Sequence, residues 1–241
     1  MTTLYGPDLA KVHIEGFSRH AELAAPWVVA RLDALRARLG SGLVVDLGCG
    51  GGPILRAVVD AGHEALGIDV SPAMVEAARA RVPEAEVRCA SFVDAELPRC
   101  HAVLAVGEPL NYLATRDEQR AVLEKIHAAL VPGGLLVFDL RLPAAVESAW
   151  RKAIRKTDDW VLVAEVREDA AAGSLTNEIT TFMREGELYR RSDETHHVLL
   201  TGATTVLGWL FALGFDAHLH DGYGDYTPDG VVGVFEAVRE G

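Results

Sequence analysis

The segment VVDLGCGGGP, Val44 to Pro53, runs from an apolar strand into an acid at Asp46 and then into Gly48, Gly50 and Gly52 ahead of a helix. Glycine at alternate positions admits φ above zero and lets a ligand approach the backbone, and a helix start offers free N–H groups. A turn of this composition suits a ligand lying against it. Taken alone, it also reads as a tight strand-to-helix turn and nothing more.

Moving outward, short runs rich in Val, Leu and Ile alternate with segments of helical periodicity from Leu43 to Leu140, the pattern of βα units in a parallel sheet. Strands are expected at Leu43 to Leu47, Ala65 to Asp69, Glu86 to Cys89, Ala102 to Val106 and Leu135 to Asp139. Pro72 to Arg81 and Asp117 to Leu130 place apolar residues three and four apart, so each has one face for the sheet and one for water. Leu9 to Leu39 reads as helical with a break near Ala25-Pro26, because proline disfavours helix in the residue before it.

Beyond Leu140 the period changes. Trp160 to Arg167, Leu175 to Arg184 and Glu187 to Leu200 read as three strands of an antiparallel flap, the last two joined across Glu185-Gly186. Thr204 to Leu213 reads as a short helix, and Asp216 to His220 and Val231 to Val238 as sixth and seventh strands with no helix between them, hence an antiparallel pair. The expected fold class is α/β: a Rossmann-like seven-stranded, mostly parallel sheet with an antiparallel terminal hairpin, helices on both faces, and an antiparallel β flap inserted after strand five.

A second signal sits where the first requires it. Asp69 ends the second strand in LGIDVSPAM, close to the roughly 20-residue spacing at which an acid meets ribose hydroxyls after a glycine turn. Asp69 also fits a solvated strand end, or part of a helix cap with Ser71.

Together these residues resemble the class I S-adenosylmethionine-dependent methyltransferases of the small-molecule type: DLGCGGG matches the family's first motif, IDVSPAM its second, and LVPGGLLVFD its entry to strand five. The resemblance covers roughly Gly42 to Leu140. It implies S-adenosyl-L-methionine as cofactor, held by Asp46, Gly48, Cys49, Gly50, Gly52, Asp69, Val70 and Met74, with Gly107 after strand four. It also implies one methyltransferase domain over 1–241: an N-terminal helical lid (1–40), the cofactor-binding core (41–140), the β insertion (155–200) and the C-terminal part of the core (201–241). Many members carry an acid after strand three for the adenine amino group; this chain reads CASFVDAELP there. Ser91, by its hydroxyl, and Phe92, by backbone N–H and ring, then flank the adenine, with Asp94 a weaker candidate; Phe92 equally fits core packing.

The rival is an NAD(P)-dependent oxidoreductase. Its fingerprint needs glycine at the sixth position, where Pro53 stands, and Asp46 would repel the dinucleotide's phosphates. A sulfonium and an α-ammonium are instead attracted by that carboxylate. A non-catalytic S-adenosylmethionine-binding protein is the remaining alternative.

Composition narrows the partners. With 35 acidic against 23 basic residues and a formal net charge of -12, the chain has no basic stripe for nucleic acid. Three cysteines (Cys49, Cys89, Cys100) without metal-ligand spacing signal neither a disulfide framework nor a zinc site. No apolar run is long enough to span a bilayer, and the N-terminus lacks a leader pattern, so a soluble cytoplasmic protein acting on a small-molecule methyl acceptor is expected. A flap favours an enclosed small acceptor, but flaps also serve dimers, so a homodimer is compatible.

On the acceptor side, AVGEPLNYL puts Glu108, Asn111 and Tyr112 where the family borders the methyl group; Asn111-Tyr112 reads equally as a helix cap and a packed aromatic. The Asn-Pro-Pro-Tyr type of motif of nucleic-acid amino methylases is missing. In-line displacement from a sulfonium asks mainly for proximity and alignment, so no fixed catalytic residue is required. Candidates to take a proton are Glu108, Tyr112, His196 and His197; the two histidines are adjacent on a strand, so at most one enters the cavity. Tyr5, His13 and Phe17 form a polar-aromatic group on the first helix, and Tyr223 lies in the DGYGDY loop near the cavity.

Overall fold

The computed structural model describes residues 4–144 and 151–241. Helices α1 (Pro7–Gly16) and α2 (Arg19–Leu39) precede the sheet. The break between them falls at Phe17-Ser18, not at Ala25-Pro26: Pro26 lies inside α2, exposed to solvent. On that face the carbonyl it leaves unbonded can turn to water, which a buried position would not allow.

The core then alternates β1 (Val44–Leu47), α3 (Pro53–Asp60), β2 (Ala65–Asp69), α4 (Pro72–Arg81), β3 (Glu86–Cys89), β4 (Cys100–Ala105), a 3-10 turn (Pro109–Tyr112), α5 (Arg116–Ala129) and β5 (Leu130–Arg141). After the flap come α6 (Ala203–Leu213), β10 (Phe215–His220) and β11 (Val232–Arg239). The seven-stranded sheet runs β10-β11-β5-β4-β1-β2-β3; β11 is antiparallel to both neighbours and all other pairs are parallel. The strand order reverses between β1 and β4, where an open α/β sheet presents its crevice.

Strand parity sorts the two cores. Val45, Leu47, Val103, Leu136 and Phe138 pack against Val122, Ile126, Val206 and Leu210 of α5 and α6. Val44, Leu104, Val137 and Val234 pack against Val28, Leu32, Leu55 and Val75 of α2, α3 and α4. Asp46 shares parity with Val44, so it enters the α2–α4 side beneath the glycine turn.

The flap has four strands, not three: β6 (Arg151–Lys156), β7 (Trp160–Asp169), β8 (Ser174–Glu185) and β9 (Leu188–Leu199), in that order. The missed strand RKAIRK is exposed throughout and lacks the alternation of a half-buried strand. One flap face closes on α1, where Trp160, Leu162, Ile179 and Met183 bury Leu9 and Val12. Polar ties reinforce the contact: Trp160 Nε1 donates to Glu15 at 2.8 Å, and Arg190 pairs with Asp8. β5 also begins earlier and ends later than expected, and its last residue, Arg141, belongs to the site.

Candidate active site

A cavity of about 440 Å³ opens at the C-terminal ends of β1, β2, β4 and β5, between α1 and the inner face of the flap. At one end lies the glycine turn, where Gly48, Gly50 and Gly52 all have left-handed backbone, with φ of 68°, 53° and 78°. Gly48 must be glycine for a further reason: a Cβ there would lie 2.5 Å from Cβ of Pro109. At Gly50 and Gly107 a Cβ would meet nothing within 4 Å, and both line the cavity. The walls there are bare backbone on which a ligand can rest.

Asp69 faces the same space. Its Oδ2 accepts the Gly50 N–H and its Oδ1 the Ser71 N–H, both at 2.9 Å. Each oxygen keeps a lone pair, so the carboxylate is held by the backbone and still able to accept from two hydroxyls. Burial raises its pKa, against the lowering effect of the Ser71, Gly50 and Val70 N–H groups. Cys49, Val70, Met74 and Phe92 complete this end, Val70 49% exposed although apolar.

Other expected cofactor contacts fall outside the lining. Asp46 is 2% exposed and its Oδ2 is buried without a partner; burial, then the Asp69 charge, pushes its pKa up to about 8. It underlies the turn rather than facing the cavity. Gly52 is spent on the left-handed cap of α3. The Ser91 hydroxyl accepts the Val93 N–H at 3.2 Å, serving its own loop, and Asp94 is exposed; neither lines the cavity.

At the opposite end stand Glu108, Arg141, Tyr112, Tyr5 and Asn177. Among the described residues only Tyr5 and Glu108 are non-glycines with left-handed backbone, at φ 51° and 64°, and both line this cavity. Such strain persists where the surroundings impose it. For Glu108 the imposing group is Asp139, wholly buried: its Oδ1 accepts the N–H groups of Gly107 at 2.8 Å and Glu108 at 2.6 Å. Its Oδ2 faces His20 Nε2 at 2.8 Å and accepts from Tyr223 Oη at 2.9 Å. The Glu108 carboxylate then meets Arg141, Nε to Oε2 at 3.1 Å. Burial raises the Glu108 pKa despite the lowering effect of Arg141.

The sequence reading missed Asp139, Arg141, Glu194 and Asn177. The visible signal for the first two was an acid and a cation closing strand five, in FDLR. Asn177 is the polar residue among Leu175, Ile179 and Met183 on the buried face of β8, and its Oδ1 is buried without a partner. Of the paired histidines, His196 is 1% exposed and sits behind Tyr112, its Nδ1 3.3 Å from the Tyr112 hydroxyl; His197 is exposed and leaves the site. Asn111 is a tie rather than a substrate contact: it donates to the carbonyls of Arg141 and Leu199 and accepts the Arg141 N–H. Tyr223 is 2% exposed and occupied by Asp139, off the cavity. His13 and Phe17 stack at 5.7 Å between centroids with planes 8° apart, and both line the cavity. Burial, then the neighbouring His196, lowers His13 to about 4.

Comparison with known proteins gives this geometry its family. Residues 44–134, from β1 into β5, match the family model of a methyltransferase domain. A putative methyltransferase of Bacillus subtilis (strain 168) is 26% identical over 165 residues, spanning 64% of this chain and 66% of the relative. The chain belongs to the class I S-adenosylmethionine-dependent methyltransferases. A methyltransferase from Clostridium acetobutylicum superposes with a TM-score of 0.82 at 15% identity, covering 97% of each chain. The sugar N-methyltransferase KedS8 from Streptoalloteichus sp. gives 0.79 at 22% identity, covering 100% of this chain and 98% of that one. At these identities the likeness is one of fold, and it includes the flap. The cofactor of this methyltransferase is S-adenosylmethionine. Its residues fit that group: an open glycine cradle, an anchored carboxylate with spare lone pairs, and a partnerless buried carboxyl oxygen under the turn.

Proposed function

We propose that this methyltransferase methylates an amine or hydroxyl of a small, polar, non-anionic metabolite. The observation that carries the reading is one cavity with the glycine turn and Asp69 at one end and Glu108, Arg141 and Asn177 at the other. Its volume, about 440 Å³, is in the range of small-molecule sites. Among the described lining residues Arg141 is the one Lys or Arg, and Glu108 already holds it. A polycarboxylate acceptor would find no unpaired guanidinium. A neutral or cationic acceptor meets the Glu108 carboxylate and the unpartnered Asn177 carbonyl, both able to accept from its N–H or O–H groups.

When bound, S-adenosylmethionine supplies a methyl group on a positively charged sulfur, activated for in-line displacement. Asp69 accepts from the ribose hydroxyls, and Gly50 and Gly107 leave backbone for close approach. Phe92, Val70 and Met74 give the apolar bed for the base. Glu108 and Asn177 align the acceptor, and α1 with the flap excludes water, so proximity and orientation supply most of the acceleration. The sugar N-methyltransferase named above acts on a substrate of this kind, in agreement with the charge argument.

Isothermal titration with S-adenosylmethionine, followed by S-adenosylhomocysteine release from a panel of amino sugars, small alcohols and polycarboxylates, tests the reading. Binding, with turnover confined to uncharged or cationic acceptors, is expected. Asp69→Ala removes two charge-assisted hydrogen bonds worth about 1.5–3 kcal/mol each, so cofactor affinity drops about a hundredfold or more, while Glu108→Ala lowers kcat with cofactor affinity kept. No cofactor binding at high micromolar concentration refutes the site, and preferential turnover of a polycarboxylate refutes the acceptor class.

A further inference from the structure

Behind the cavity wall a polar chain leads away from the acceptor end. Tyr5 Oη lies 3.2 Å from Tyr112 Oη, Tyr112 Oη 3.3 Å from His196 Nδ1, and His196 Nε2 3.0 Å from Glu194 Oε2. The other oxygen of Glu194 accepts the Gly6 N–H at 3.0 Å, which fixes the carboxylate. Tyr5 and Tyr112 line the cavity, whereas His196 and Glu194 do not. Four groups from the N-terminal segment, the 3-10 turn and β9 thus join a cavity-facing phenol to a buried imidazole–carboxylate pair.

The chain has a direction. An ionised carboxylate only accepts, so Glu194 holds a proton on His196 Nε2, and the neutral ring then offers Nδ1 as an acceptor. Tyr112 donates to Nδ1, and its oxygen accepts from Tyr5. Every hydrogen bond points from the cavity toward Glu194. The phenols do not serve as the final base, since burial raises the pKa of both, that of Tyr5 well above the ordinary tyrosine value. The rings are also fixed in place: His196 packs edge-on against Tyr5 and Tyr112 at 5.0 and 5.5 Å between centroids. Tyr5 keeps its left-handed backbone while its carbonyl accepts from the Ser71 hydroxyl at 2.7 Å.

We propose that Tyr5, Tyr112, His196 and Glu194 form a proton relay that carries the proton lost by the methyl acceptor to the His196 imidazole. The proposal rests on the methyl-transfer reading above. The acceptor's lone pair bonds to the methyl carbon, the carbon–sulfur bond breaks with its pair left on sulfur, and the acceptor's N–H or O–H proton passes to a phenol oxygen. That phenol passes its own proton on, and the net result is an imidazolium beside the Glu194 carboxylate. Tyr5 and Tyr112 touch the acceptor; His196 and Glu194 act through them as positioning residues.

The test has two arms. In the first, the full chain labelled with ¹⁵N-histidine and saturated with S-adenosylhomocysteine is studied by NMR at pH 8, the His196 ring being identified by its loss in His196→Asn. A proton on Nε2 and none on Nδ1 is expected, with the Nδ1 resonance moving in Tyr112→Phe; a proton on Nδ1, or no response to Tyr112→Phe, overturns the relay. In the second, with an acceptor from the panel above, His196→Asn lowers kcat about a hundredfold with the KM for S-adenosylmethionine unchanged, and Glu194→Gln lowers it less, Glu194→Asp restoring part. Wild-type kcat in His196→Asn overturns the relay. A panel with no turnover counts against the methyl-transfer reading alone, and the ring spectra still decide the relay.

Discussion

Replacing Asp139 tests how the acceptor end is held together. This carboxylate is 0% exposed and takes two backbone N–H groups on Oδ1, and His20 and the Tyr223 hydroxyl on Oδ2. Asp139→Ala strands the Gly107 and Glu108 N–H groups at about 1–3 kcal/mol each and removes two further hydrogen bonds to a charged group. A loss of about 4 kcal/mol or more follows, and at about 2–4 °C per kcal/mol the melting temperature falls by about 8–16 °C. Asp139→Asn is gentler, because its oxygen can face the two amides while its NH₂ donates to Tyr223 and to a neutral His20. Its signature is in the pH dependence. Burial lowers the His20 pKa, but the hydrogen bond and charge of Asp139, with Glu108, outweigh it and leave the value raised. A raised histidine contributes stability that is complete below its unfolded value, about 6.5, and is lost as pH rises through the folded one. Calorimetry from pH 6 to 9 is expected to show that decline in the wild type and much less of it in Asp139→Asn. A melting temperature within about 2 °C of wild type for Asp139→Ala, or the same pH profile in Asp139→Asn, refutes the account.

Two further outcomes follow from buried titratable groups. Asp46, pushed up to about 8, is mostly protonated at pH 7, so a cationic cofactor arriving above it drives off up to about one proton. Titration calorimetry in buffers of different ionisation enthalpy measures this release, and a buffer-dependent heat that survives in Asp46→Asn assigns the proton elsewhere. His13, lowered to about 4, is neutral in the native state and charges on unfolding. Its stability term is complete above about pH 6.5 and declines by about 3 kcal/mol as pH falls toward 4. Urea unfolding at pH 7.5 and 4.5 should show a smaller acid loss in His13→Phe; equal losses in both proteins refute it.

The cofactor end was legible in the sequence because its geometry is local. The Gly48 to Gly52 turn and Asp69 sit at the ends of adjacent strands, and chain spacing alone brings them together. Strand parity also carried weight: it limits His196 and His197 to one inward ring, although which one depends on the β8–β9 register, with Asn177 opposite His196. The acceptor end was legible only in fragments, because it is assembled from positions far apart in the chain. Asp139 is tied to His20 across 119 residues and to Glu108 across 31, and Glu194 to Gly6 across 188. No local pattern marks such partners. β6 escaped for a different reason: an edge strand with both faces in water has no apolar alternation to read.

The two ends also differ in how they are held, and this bears on what can vary. The cofactor end rests on backbone: Asp69 is fixed by two N–H groups, and the cradle is glycine, so substitutions there change the conformations open to the chain. The acceptor end rests on side chains that meet across the flap and α1, with Tyr5 and Glu108 kept in left-handed conformations by neighbours such as Ser71 and Asp139. A change in Asn177, Tyr112 or Arg141 can reshape that end without disturbing the turn, because none of the three bonds to it. Acceptor choice is therefore set on the flap, the turn after β4 and the end of β5, while cofactor choice is set by the first two strands.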